Sequence, residues 1–173
     1  MMRALAEIGA MTYRAALGAG IPVGQAEDLG RTAIYMAGRD QPLDPVVAAL
    51  EEAPVAIEVA RGGDQFLIRA GTAAMTGPMV KDCFATGGTR VRLADAAHAP
   101  LVQAMLAEIG IVSRADGPVI YHEGHLAPGN RVGPVEVPDD IWDRLSAFAA
   151  KTLVQDSTQS RETGAGAGLT DND

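Results

Sequence analysis

The densest group of chemistry-bearing side chains in the sequence is Tyr121-His122-Glu123-Gly124-His125. Two imidazoles flank a carboxylate, and a glycine before the second histidine lets the backbone turn both rings toward one point. Such a group suits general acid–base work by His122, Glu123 or His125. It also suits a metal, although a catalytic zinc needs about three protein ligands and an open position. His98, Cys83 or an acid from elsewhere would have to supply the third. His-x-x-His in a loop is not the helical pair of a metalloprotease, and loop histidines also serve as ordinary surface hydrogen-bonding groups. The reading adopted is that no metal is bound, that His122 and His125 are the pair a metal would use, and that all three residues are catalytic candidates.

The second group lies in SRETGAGAGLTDND, residues 160–173. Arg161 offers a planar fork for a carboxylate or phosphate. Gly164, Gly166 and Gly168 permit close backbone approach, and their successive N–H groups suit an anion-binding nest. Asp171 and Asp173, with Thr170 and Asn172, present hard oxygen donors of the kind magnesium and calcium take. Composition alone makes 154–173 a glycine-rich, acidic, disordered tail. The alternative is a segment ordered against the rest of the chain, with Arg161 as anchor and the two aspartates pointing into a polar cleft.

Weaker signals have plainer readings. Gly18-Ala19-Gly20 follows a helix, whereas a phosphate-binding loop follows a strand, so it reads as a helix end and turn. Lys81 and Cys83 do not share a helical face, so Cys83 reads as a buried structural thiol. No motif specifies a cofactor.

Composition narrows the class. The chain has 173 residues, 47% hydrophobic and 4% aromatic, with a formal net charge of −8. That charge opposes binding to phosphate backbones and to anionic membranes. No apolar run reaches the length of a membrane span. A single cysteine rules out an intrachain disulfide, and the N-terminus lacks the uninterrupted apolar stretch of a signal peptide. The expected location is the cytoplasm.

The elements that must position these residues follow from periodicity. Leu5, Ile8, Met11 and Ala15 mark a helix over 3–17, and Ala26, Leu29, Ala33 and Met36 mark a second. The short connection predicts an antiparallel pair. A third helix starts at Asp44-Pro45. After Pro54, alternation at Val55, Ile57 and Val59, a turn over 61–64, and Phe66 with Ile68 predict a hairpin. Further helices are expected over 76–86, with Pro78 in the first turn, over 98–110, and from Pro138 with the stripe Ile141, Leu145 and Phe148. Short strands are expected at Arg90–Leu93, Val119–His122 and Val135–Val137. The sum is one α+β domain over 1–153, an N-terminal helical pair packed with a small mixed β-sheet and further helices, followed by the tail 154–173. Strands are expected only after Pro54.

Residues 15–33, AALGAGIPVGQAEDLGRTA, resemble the N-terminal signature of a bacterial family, domain of unknown function 3726, at Ala16, Gly18, Ala19, Gly20, Gly24, Ala26, Glu27 and Gly30. Leu17 stands where that family usually has arginine. Residues 160–173 are similar to the family's ending, and the middle of the chain is similar only loosely. The resemblance implies that the glycine-rich ending is a family feature, and it implies no activity. The functional expectation is therefore a small cytoplasmic protein whose site for a small anionic molecule is completed by the C-terminal tail. The alternative is a non-catalytic accessory or oligomer-forming protein whose tail docks into a partner or sister subunit, or a ligand-binding regulatory module without chemistry. Whether it is an enzyme is left open.

Overall fold

A computed structural model describes residues 1–53, 55–126, 129 and 133–153. Arg161, Gly164, Gly166, Gly168, Asp171 and Asp173 lie outside the described residues.

The chain opens with a two-residue strand, β1 (Met2–Arg3), and then two helices, α1 (Leu5–Gly18) and α2 (Val23–Ala37). They pack antiparallel through small residues: a Cβ on Gly30 would stand 3.0 Å from the Gly9 carbonyl oxygen, and one on Gly9 would stand 2.5 Å from Ile34 Cδ1. Side chains that short let the backbones approach closely. The Gly18–Gly20 segment ends α1 and turns the chain. Gly20 has φ +82°, a conformation open to glycine, and Ile21 N then donates to Ala16 O at 3.0 Å.

Helix α3 (Asp44–Glu51) completes the N-terminal half. Next come the antiparallel hairpin β2 (Glu58–Gly62) and β3 (Gln65–Ala70), the helix α4 (Ala73–Ala85) and a strand β4 (Arg90–Arg92) parallel to β3. A 3₁₀ turn (Ala96–His98) leads into α5 (Ala99–Glu108), and β5 (Ile111–Asp116) pairs antiparallel with β6 (Val119–His125). The five-stranded mixed sheet has the order β2-β3-β4-β6-β5. The last elements among the described residues are β7 (Val135–Glu136) and α6 (Asp139–Ala150). The fold is α+β, as expected.

Helices α4 and α5 form the middle layer. Val80, Cys83, Phe84, Val102 and Leu106 pack on the sheet residues Ile68, Val91 and Ile120. Ala73, Ala74, Leu101, Ala104 and Met105 join the other core, made with α1, α2, α3 and α6. In α6 the expected stripe is in place: Ile141 and Leu145 are buried and Phe148 packs against them. A Cβ on Gly18 would lie 1.9 Å from Phe148 O, so α6 is seated on the end of α1.

Four expectations need correction. Strands are not confined to the region after Pro54, because β1 pairs antiparallel with β7, matching Met2 to Glu136 and Arg3 to Val135. Pairing between segments so far apart in sequence leaves no local periodicity to read. Helix α4 starts at Ala73, which places Pro78 inside it. Thr72 at its N-cap makes no side-chain bond, and the Ala73 N–H instead donates to Glu52 Oε2 at 2.8 Å. Finally, β5 occupies residues assigned to no element, and β2 begins at Glu58 rather than Val55.

Candidate functional site

On β6, Ile120 is fully buried against the helices. Alternation along the strand sends Tyr121 to the open face and His122 back inward. There the His122 ring meets Phe84, with centroids 5.2 Å apart. Glu123 goes outward, where its Oε1 accepts from Arg114 Nε at 3.0 Å. Regular alternation would then send His125 outward as well. A register shift opposite Val112 and Ser113 prevents this, since Val112 faces Gly124 and Ser113 faces His122, leaving Glu123 as the extra residue. Gly124 takes φ +137°, and His125 returns to the inner side, 4.9 Å from His122 with the rings inclined at 68°. The bulge thus unites the two histidines and separates them from Glu123. Nε2 of His122 is buried and has no hydrogen-bond partner among the described residues.

The other residues named as a possible third ligand lie elsewhere. Cys83 is buried in the sheet-side core, where burial foremost, and then the Asp82 carboxylate, push its thiol up to about 11. His98 bonds to Glu52. Among the described residues, no group of three or more His, Cys, Asp or Glu stands close enough together to hold a metal ion.

A cleft of about 590 Å³ opens between the end of α2, the start of α3, helix α5 and the edge strand β5. This volume suits a small organic ligand. Its apolar lining includes Met36, Ala104, Ala107 and Ile111, and its polar lining includes Tyr35, Arg39, Gln41 and Gln103. Arg39 stacks over the Tyr35 ring with its guanidinium carbon 3.7 Å from the centroid. One Nη donates to Tyr35 O at 3.5 Å, and the other donates to Gly129 O. A guanidinium has five N–H donors, so these two bonds leave enough for a bidentate anion. Among the described residues Arg39 has no carboxylate partner. Gln103 is fixed by its bond to Ser113 O at 3.2 Å.

A third arrangement went unforeseen. Glu52, at the C-cap of α3, holds Ala73 N–H with one carboxylate oxygen and His98 Nε2, at 3.1 Å, with the other. One side chain therefore ties the end of α3 to the starts of α4 and α5. Cavities of about 230 and 410 Å³ open on either side of it. Nothing local in the sequence marks this pair, since its members belong to different helices.

The open face of the sheet also carries charge. Arg90, Tyr121 and Arg114 face each other in one row across β4, β6 and β5, and Arg114 lies 4.3 Å over the Tyr121 ring.

The chain matches no protein-family model, no curated protein and no solved structure.

Proposed function

We propose that the protein binds a small molecule carrying a carboxylate or phosphate on an apolar body, in the cleft beside Arg39. One observation carries this reading: a guanidinium with spare donors, and no carboxylate partner among the described residues, in a 590 Å³ cleft whose lining is partly apolar. Stacking on Tyr35 orients the fork, and the apolar part of the lining strengthens its attraction for an anion.

The glycine-rich segment with Arg161, Gly164, Gly166, Gly168, Asp171 and Asp173 completes the site in this reading. Helix α6 ends against Gly18, at the end of the α1–α2 pair opposite Arg39. Helix α2 is about 22 Å long, and 20 residues, 154–173, can span up to about 66–72 Å when extended. The segment is therefore long enough to reach the cleft. A cytoplasmic location fits the single buried thiol, Cys83. Kinship with the domain of unknown function 3726 family rests on residues 15–33 and 160–173 and belongs to the same proposal.

Calorimetric titration with octanoate, octyl phosphate and the uncharged octanol tests it. At least one anion is expected to bind tenfold or more tightly than octanol, and Arg39→Gln to remove that advantage. Equal binding of octanol, or unchanged anion affinity in Arg39→Gln, would overturn the reading. Deleting 160–173 is expected to weaken anion binding. Undiminished affinity would sink the tail's part in it while leaving the cleft.

A second reading, in which the protein pairs with a partner or a sister copy, is favoured by the edge strand. Val112 is 38% and Leu126 71% exposed beside the cleft, and β5 is the edge strand of the sheet among the described residues, the kind of strand another chain can pair with. Sedimentation of the full chain and of Leu126→Glu distinguishes the two. A dimer lost in the variant supports pairing.

A further inference from the structure

We propose that Glu52 anchors a second binding site, one for a primary ammonium group borne on a short apolar chain. The carboxylate stands at the junction of the two cavities that flank it, and Val55 and Thr72 line both along with Glu52. The smaller limb is largely apolar, with Ile21, Pro22, Ala49 and Met75. The larger is also mostly apolar and includes Asp95 and His98. The two limbs together form a groove with an apolar pocket on one side of a fixed carboxylate.

The carboxylate is held in place before any ligand arrives. Its two oxygens take the Ala73 N–H at 2.8 Å and His98 Nε2 at 3.1 Å. Each carboxylate oxygen has a further lone pair, and the Glu52 side chain is 30% exposed, so acceptor capacity remains on the groove side. Preorganisation of this sort lowers the ordering cost of binding.

The groove also lacks a cation of its own. Among the described residues, no lysine or arginine lines either limb. The one ion-pair partner of Glu52 among them is His98, an imidazole that carries charge only when doubly protonated. Its Nδ1 is buried and has no hydrogen-bond partner among the described residues. Asp95, the other acid in the lining, is committed to the Ala97 N–H at 2.8 Å. A carboxylate with a spare lone pair on each oxygen and no lysine or arginine beside it attracts a cation that can donate to it. An ammonium has three donors and a compact charge, and its alkyl chain fits the limb lined by Ile21, Ala49 and Met75. The requirement is opposite in sign to that of the Arg39 cleft and independent of it.

An NMR titration of the full chain with hexylammonium, with hexanol and hexanoate as controls, tests the proposal. Hexylammonium is expected to shift the Thr72, Ala73, Met75 and His98 amides saturably, with an affinity at least tenfold above hexanol, and hexanoate to leave them unmoved. Glu52→Gln keeps an acceptor for the cap and removes the charge, and it is expected to lower the affinity at least tenfold. Val55→Arg changes a side chain that is 48% exposed and supplies an internal cation. It is expected to have the same effect with the cap intact, and it decides the matter if Glu52→Gln fails to fold. Equal binding of hexanol, absence of shifts at these amides, or unchanged affinity in Val55→Arg would overturn the proposal.

Discussion

His122 and His125 share the inner side of β6 with their rings 4.9 Å apart, because a bulge between them absorbs the residue that would have turned His125 away. The bulge depends on Gly124 at φ +137°, and a Cβ there would meet nothing within 4 Å. The cost of adding one is therefore purely conformational. Gly124→Ala is expected to lose about 1–3 kcal/mol of stability and to separate the rings, seen as altered histidine side-chain shifts in NMR spectra. An unchanged melting point and unchanged shifts would remove the bulge's claim to position the pair.

Two glycines near the N-terminus, Gly18 and Gly24, should behave in opposite ways. At Gly18 a Cβ would run into the Phe148 carbonyl oxygen at 1.9 Å, backbone that cannot step aside without moving α6. Gly18→Ala is expected to cost about 1–3 kcal/mol, in the range of overpacking. Gly24, near the start of α2, has nothing within 4 Å of a built Cβ. Gly24→Ala is expected to be neutral or to stabilise by about 0.4–1 kcal/mol, through the unfolded chain's lost freedom. Urea denaturation of both variants is the check, and a reversed order would contradict the close seating of α6 on Gly18.

Cys83 should be inert while the protein is folded. Burial pushes its thiol from 9.0 up to about 11, and the thiolate is the reactive form. Its reaction with a disulfide reagent at pH 8 is expected to be at least a hundredfold slower than in denaturant. A thiol raised in the folded state ionises first in the unfolded chain. Stability contributed by the neutral thiol is therefore complete below pH 9 and is lost progressively toward pH 11. Cys83→Ala is expected to flatten that part of the pH profile.

Glu108 sits 3.7 Å from Arg31, yet burial outweighs that attraction and raises its carboxyl above 4.5. The folded state thus holds the proton more firmly than the unfolded one. Stability from this group is fully present below pH 4.5 and is lost as the pH rises through the raised folded value. Glu108→Gln is expected to match the parent at pH 4 and to show a higher urea midpoint at pH 7. A lower midpoint at pH 7 would mean that the Arg31 pair dominates.

Local signals carried much of this fold. The stripes Ala26, Leu29, Ala33, Met36 and Ile141, Leu145 are spaced by helical geometry alone, and the turn over 61–64 closes a hairpin of neighbouring residues, so α1, α2, α6 and β2–β3 were readable from the sequence. The chemistry of His122, Glu123 and His125 was visible as residue types, and so was the freedom of Gly124. Which faces they occupy was not visible, because the bulge is defined by the partner strand β5. The Arg39 cleft and the Glu52 groove are assembled from different helices whose residues become neighbours only after packing. The start of α4 was misplaced for the same reason: its first N–H is capped by a carboxylate from the end of α3. By itself the sequence determined the helices and turns whose hydrogen bonds and apolar contacts close within a few residues. Only the tertiary structure decided β1–β7, the pairing of Glu52 with His98 and the company of Arg39, since contacts between distant segments form only when a common core brings them together and leave no periodic trace in the chain.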